Sequence, residues 1–363
     1  MCYFGTYSKG FVRNKILIDG LIENGVNVVE CNEESPPLIK VNKGKYIFGA
    51  LKRGLKLLKK YLALNNIDLI IVGYPGFESV LQIKCLTKKP IIYDPFISSY
   101  LSYVHDYKIV ASNSIMARMY YFFDSKSFKQ SDLIISDTDI HGKILSRLFT
   151  VDINKLNTVQ VGSNPKIFYP REYRNENGKF VIGFYGTYIP LHGVNIILEA
   201  AKRLKNRPNI VFELVGGGTE NEIFLNSVKF KIKHKLTNVK FIPHIPLRDL
   251  VEKIAKSDIQ LGIFGGTLKS NIVIPNKVYS ALAMAKPIIT SDTIASRELL
   301  NHEKSAYLCK NADPESLAQA IIALQEDKKL RDKIARNGYS LFEKYLTPKK
   351  LGNDLKNIIL KLL

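Results

Sequence analysis

The strongest constraint on this chain is an alternation. Short apolar runs recur along it, most ending in glycine, aspartate, threonine or tyrosine, and each is followed by a longer stretch of helical character. NVVEC (27–31), DLIIVGY (68–74), PIIYD (90–94), DLIISDT (132–138) and NTVQVG (157–162) read as strands in the first half, after an opening strand that ends at Gly5-Thr6. FVIGFYG (180–186), IVFELVG (210–216), VKFIP (239–243), IQLGIFG (259–265) and PIITSD (287–292) read the same way in the second. Runs that are apolar throughout need cover on both faces, which crossover helices supply, so the pattern predicts parallel sheets. Repeated strand–helix–strand units predict a doubly wound α/β architecture, present twice. The two halves are alike in architecture and not in sequence.

At 363 residues the chain is longer than one typical core, so two domains are expected. The break falls in NPKIFYPREYRNENGK (164–179), where proline and polar residues interrupt the pattern. The expected division is 1–168, 169–340, and a tail helix over 341–363 that returns to the first domain. Pro348 forces a bend or a new helix start within that tail. Cys2, Cys31, Cys85 and Cys309 lie far apart and have no metal-ligand spacing, so they read as reduced thiols. No apolar run has the length of a membrane span and no leader pattern opens the chain. The expected location is the cytoplasm, including the inner face of the membrane.

A net charge of +20 needs a reason. Residues 1–170 carry 22 basic against 14 acidic side chains, and the remainder 31 against 19, so the charge is not an arm or a tail. Nucleic acid, an anionic membrane surface and a phosphorylated substrate are the competing partners. With no zinc-finger spacing, no heptads and no aromatic-basic RNA-binding box, nucleic acid is set aside. KYIFGALKRGLKLLKKYLAL (45–64) places Ile47, Phe48, Leu51, Leu55, Leu58 and Leu62 at helical spacing, with Lys52, Arg53, Lys56, Lys59 and Lys60 over much of the rest. It reads as a helix packed on the first sheet or as one lying on an anionic membrane, and the two are compatible.

Chemistry concentrates in the second half. YGTYIPLHGVNIILEAAKRL (185–204) is a strand, a polar loop and a helix opening near His192-Gly193, and a helix start with unpaired N–H groups suits a diphosphate. LVGGGTENE (214–222) has three glycines after a strand, but without G-x-G-x-x-G spacing it does not argue for a dinucleotide site. In FGGTLKSNIVIPNKVYSALAMAKPIITSDT (264–293), Lys269 follows a strand end and Pro275-Asn276 precede a helix with Lys277 in its first turn. A lysine there opposes the helix dipole, so it needs an anionic partner or a solvated position. Asp137-Thr138-Asp139 spells D-x-D, which reads here as the cap of the following helix.

From about residue 132 to 345 the chain resembles the family 4 (group 1) retaining glycosyltransferases. SDLIISDT, VGSNPKIFYP, GFYGTYIPLHGV, LVGGGTE, IPNKVYSALAMAKPIITSDT, SREL and ADPESLAQAI carry the resemblance, in the family's order and spacing. The first half fits more loosely, through YFGTYSKGFVRNKILIDGL. The resemblance implies the GT-B fold, two facing Rossmann-like domains with a cleft between them and a C-terminal helix packing back across both. It implies a nucleotide-sugar donor on the C-terminal domain and an acceptor on the N-terminal one. Carried over by position, donor binding falls to Gly186, Thr187, His192, Gly193, Gly216, Gly217, Pro275, Asn276, Ser280 and Glu298. The catalytic candidates are Asp94, His105, Lys269 and Lys277, and Gly5, Thr6 and Arg13 form the acceptor-side loop.

The departures are specific. Many relatives carry glutamates where this chain has Ile272 and Ser280, and Arg and Lys where it has Thr187 and His192. The chain resembles most the branch with a P-x-K donor turn. Fixed cations and helix N–H groups stabilise a leaving diphosphate without a metal. The expected protein is therefore a metal-independent, retaining glycosyltransferase without a cofactor, moving a hexose from a nucleoside-diphosphate sugar to a glycan or lipid-linked saccharide. The rival reading is an impaired glycosyltransferase-like scaffold subunit. A sugar-nucleotide epimerase or a phosphorylase on the same fold is a third.

Overall fold

The computed structural model describes residues 1–34, 43–172, 178–218 and 221–363. The two parallel sheets that the alternation predicts are present, each of six strands. The chain divides into two compact units, Met1–Val161 with Pro348–Leu363, and Gly162–Thr347. The sequence-based bounds at 168/169 and 340/341 differ because the 162–168 segment already belongs to the second unit, and the helix spanning 340 runs unbroken to Tyr345.

In the first unit β1 (Cys2–Gly5), β2 (Val29–Asn32), β3 (Ile70–Val72), β4 (Ile91–Tyr93), β5 (Leu133–Ser136) and β6 (Leu156–Thr158) pair in the order β2-β1-β3-β4-β5-β6. The helices are α1 (Val12–Glu23), α2 (Lys43–Leu62), α3 (Phe77–Lys84), α4 (Ile115–Gln130) and α5 (Asp139–Phe149). A π-helical turn, Leu101–Asp106, precedes α4. In the second unit β7 (Phe180–Tyr185), β8 (Ile210–Val215), β9 (Val239–Ile242), β10 (Ile259–Leu261), β11 (Ile288–Asp292) and β12 (Tyr307–Lys310) pair in the order β12-β11-β10-β7-β8-β9. Its helices are α6 (Val194–Arg203), α7 (Glu222–Lys233), α8 (Leu247–Lys256), α9 (Leu268–Ile272), α10 (Asn276–Ala283), α11 (Ile294–Leu299), α12 (Pro314–Glu326) and α13 (Lys328–Tyr345). Strand β12 was not read from the sequence, because YLCK has neither length nor flanking turn signals to mark it.

The last helix, α14 (Pro348–Leu362), completes the core of the first unit. Its Leu351, Leu355 and Ile359 join Tyr3, Ile16, Leu17, Leu21 and Ile71 in one buried cluster. The approach to α1 is backbone to backbone. A Cβ at Gly20 would come within 2.1 Å of the Pro348 carbonyl, and one at Gly352 within 2.0 Å of the Gly20 carbonyl carbon. Asn24 Nδ2 and Lys356 Nζ then tie the ends together, donating to the Lys349 and Asn24 carbonyls at 2.7 and 2.8 Å.

Helix α2 packs through Gly54 and Leu57, while Leu55 and Leu62 face solvent and Leu58 is half-buried. Ile47, Phe48 and Leu51 fall outside the side chains described. Lys56 and Lys60 are paired with Glu33, the latter at 2.6 Å. No helix among the described residues is long and apolar enough to cross a membrane.

Overpacking a backbone contact of this kind leaves little room to relax. Gly352→Val is expected to lower the stability of the protein by about 1–3 kcal/mol, the usual range for an overpacked core. Gly10→Ala, where the one nearby atom among the described residues beyond its chain neighbours is Ser8 Oγ at 3.9 Å, is expected to be neutral. Thermal unfolding followed by circular dichroism checks both.

Candidate functional site

In the second sheet the crossovers diverge between β7 and β10, the place where an open α/β sheet leaves a crevice at its carboxyl edge. The β7–α6 loop and the start of α10 meet there. Gly186 ends β7 with φ +150°, and a Cβ on it would lie 2.8 Å from His192 Cε1 and 3.3 Å from Lys277 Nζ. Gly193 takes φ +65° and begins α6, and a Cβ there would strike the Phe264 and Gly265 backbone at 2.4 and 2.6 Å. The loop is fixed by Phe264 N donating to His192 O at 3.2 Å and Gly265 N to Leu191 O at 3.1 Å. Only glycine permits this close approach of backbone to two basic side chains.

Lys277 dominates the electrostatics. It is 4% exposed, its Nζ has no hydrogen-bond partner among the described residues, and that nitrogen lies 4.6 Å from the centroid of the Phe184 ring. Burial alone drives its pKa far below the ordinary 10.5. His192, 7% exposed, packs edge-on to the same ring at 5.6 Å. Burial, then the fields of Lys277 and Lys269, hold its imidazole well below 6.5 against a hydrogen bond with the Thr187 backbone. Near neutral pH the ring is therefore uncharged. Its Nδ1 is buried without a partner among the described residues, as are Asn276 Oδ1 and Ser291 Oγ. A charged ligand is the natural complement, because buried polar atoms without partners are costly to leave so. Helices α6 and α10 add their N-termini, neither of which carries a side-chain cap.

The structure brings Gly186, His192, Gly193, Lys269, Lys277 and Ser280 into one neighbourhood. Gly216 joins them by close packing, since a Cβ there would lie 2.2 Å from the Gly186 carbonyl oxygen. Thr187 is exposed in the same loop, Pro275 is the N-cap of α10, and Glu298 is exposed on α11. Ser280 is buried and hydrogen-bonds the Tyr185 hydroxyl, whose pKa burial pushes up to about 12. Ile272 is a core residue at 3% exposure. Phe184 and Tyr185 were not singled out from the sequence, because a strand aromatic reads as core until the cation above it is seen.

The first unit handles its charge differently. Arg13 and Asp94 are both fully buried and paired at 2.8 Å, and Arg13 Nη1 also donates to the Val159 and Gln160 carbonyls at 2.6 and 2.8 Å. Asp94 Oδ1 accepts from Phe96 N at 3.2 Å. Burial pushes the carboxyl up while the guanidinium pulls it back. Both carboxylate oxygens are thus engaged in holding the ends of β4 and β6 to α1. His105 is exposed in the π-helical turn, with its ring 5.1 Å from that of Tyr100. Thr138 caps α5, and Asp137 is held by His141 Nδ1 at 2.6 Å. No group of acidic, histidine or cysteine side chains suited to a metal occurs among the described residues.

Comparison with known proteins bears on this unit. Residues 166–341 match the family model described as "Glycosyl transferases group 1". The uncharacterized glycosyltransferase MJ1178 of Methanocaldococcus jannaschii is 22% identical over 245 residues, 65% of this chain and 61% of that protein. The capsular polysaccharide biosynthesis glycosyltransferase CapM of Staphylococcus aureus is 20% identical over 243 residues, 64% of this chain and 62% of that one. The chain thus spans about three-fifths of the length of these curated relatives. Anabaena HepE, solved in complex with UDP and glucose, superimposes with a TM-score of 0.73 at 13% identity, covering 99% of both chains. At that identity the likeness is one of fold, and the fold is the GT-B one.

A buried amine without a counter-charge destabilises the unliganded protein. Because the native pKa of Lys277 lies below its unfolded value, the unfolded chain binds the extra proton between the two, and stability rises with pH across that window. Lys277→Met is expected to raise the stability of the unliganded protein by about 1–3 kcal/mol and to flatten its rise with pH. Chemical denaturation at a series of alkaline pH values measures both effects.

Proposed function

We propose that the second unit binds a nucleoside-diphosphate sugar, with the diphosphate against Lys277 and the α6 and α10 N-termini. On this reading the protein is a metal-independent, retaining glycosyltransferase that passes a hexose to a glycan or lipid-linked saccharide. One observation carries the proposal: Lys277 is buried over Phe184 with no hydrogen-bond partner among the described residues, beside a backbone position that tolerates only glycine at 186. The family match of residues 166–341 supports it, as do the nucleotide and sugar bound to HepE. Retention of configuration, the P-x-K branch and the hexose rest on the sequence resemblance.

The chemistry follows from charge. Breaking the sugar–phosphate bond leaves negative charge on the departing diphosphate, and fixed cations and N–H dipoles already in position stabilise it. An arriving diphosphate restores to Lys277 the charge that burial suppresses, so binding takes up a proton. His192, uncharged, serves as a hydrogen-bonding group through Nδ1. The Asn276 amide and the Gly216-Gly217 backbone offer further polar contacts. With Ser280 hydrogen-bonded to Tyr185, the ribose meets a hydroxyl pair where a carboxylate stands in many relatives. In the first unit the Gly5-Thr6 turn and His105 are the candidates to meet the acceptor, and Arg13 and Asp94 hold that loop in place.

Calorimetric titration with a panel of nucleoside diphosphates and their sugars, in chelator-treated buffer, tests the reading. One nucleotide should bind, with Lys277→Ala weakening it by about tenfold or more, as for a lost hydrogen bond to a charged group. Free sugar released from donor without any acceptor would instead mark an epimerase. Absence of binding by every nucleotide to folded protein, or turnover that stops on chelation, overturns the proposal.

A further inference from the structure

Helix α4 is built inside out. Its buried face carries Asp124, Ser125 and Ser127 beside Ala117 and Phe128, while Ile115, Met119 and Phe122 are 78%, 45% and 53% exposed. At 100° per residue, Ile115, Met119 and Phe122 fall on one stripe opposite Ala117, Asp124 and Phe128. Asp124 and Ser127 are satisfied there. Asp124 accepts from Ser98 Oγ at 2.6 Å and from Tyr100 N at 2.8 Å, and Ser127 Oγ donates to the Phe77 carbonyl at 2.8 Å. They hold the β4–α4 connection, which leaves the apolar stripe unexplained by the fold.

The stripe has a defined setting. Phe77, at the start of α3, meets Phe123 and Ser127, so the first two turns of α4 stand beyond α3 at the carboxyl edge of the first sheet. Tyr120 and Tyr121 brace this overhang from below, stacking on Tyr103 at 5.1 Å and on Phe149 at 5.2 Å. Every charged side chain on the outward face of α4 is basic: Arg118, Lys126 and Lys129 are exposed, and the helix's only acid, Asp124, is inside. Exposed Lys108 and Ile109 extend the same character into the preceding loop.

We propose that the outward face of α4 docks on an anionic lipid bilayer, with Ile115, Met119 and Phe122 in the headgroup–acyl boundary and Arg118, Lys126 and Lys129 on lipid phosphates. The charge complementarity selects this occupant: an apolar stripe ringed by cations, with the helix's one acid buried on the opposite face, is the pattern of an interfacial helix. It differs from the α2 surface considered from the sequence, where Leu57 is buried and Lys56 and Lys60 are taken by Glu33. Docking there sets the carboxyl edge of the first sheet close to the bilayer, where a lipid-linked acceptor would be met. The docking itself does not depend on the donor-site reading.

Co-sedimentation of the full chain with phosphatidylcholine vesicles, with and without about one-third phosphatidylglycerol, tests it. Binding should require the anionic lipid and fall with added salt. Phe122→Asp and Met119→Asp should each lower the partition coefficient by about tenfold or more, whereas Leu62→Asp on α2 should change it by less than about twofold. Circular dichroism of the variants confirms folding, which surface substitutions leave intact. No binding to anionic vesicles, or binding that the α4 variants leave unchanged, overturns the proposal. So does a wild-type dimer that these variants convert to monomer, since the stripe is then a protein interface. Nucleotide titration of the same variants should match wild type, so failure of this proposal is separate from failure of the donor-site reading.

Discussion

A lysine ammonium held over a phenylalanine ring, with no anion to meet it, is the constraint around which the second unit is arranged. An isolated charge in a protein interior is avoided by giving up the proton, and the direction of the Lys277 shift shows that cost. The glycines at 186, 193 and 216 are consequences of the same packing. Each lies where a Cβ would strike a side chain or a backbone atom that the lysine site requires. The uncapped starts of α6 and α10 lie at the same place and add to its polarity.

The two units solve one architectural problem in opposite ways. Both are six-stranded parallel sheets with a switch in strand order, and both bury a basic side chain close to their carboxyl edge. In the first, Arg13 is neutralised by Asp94 and by two backbone carbonyls, so the charge has become structural. In the second, Lys277 has no such partner. A buried pair fixes geometry, and removing one member leaves an uncompensated charge. A buried single charge is instead a standing demand on whatever enters.

Much of this was legible in the sequence, because the signals were local. Period and apolar runs marked eleven of the twelve strands, and the glycine and lysine positions of the second half fell where βα loops would place them. What escaped depends on long-range proximity. The engagement of Asp94 by Arg13 joins residues 81 apart, so neither could be recognised as structural beforehand. Ser280 gained meaning only beside Tyr185. Helix α4 was passed over for α2 because buried serines and an aspartate opposite exposed apolar residues blur the usual amphipathic pattern, whereas the leucines and lysines of α2 exaggerate it.

The contact between Gly20 and Gly352 has a consequence for how the protein is made. Ribosomes deliver the chain from its amino end, so β1 to β6 emerge well before α14, and the whole second unit is synthesised in between. During that interval the groove on α1 that receives Leu351, Leu355 and Ile359 has nothing to cover it. The second unit, continuous in sequence, can close on itself while the first still waits. Order of birth is therefore the reverse of order of completion, and the growing chain carries an open apolar seam that its final helix seals.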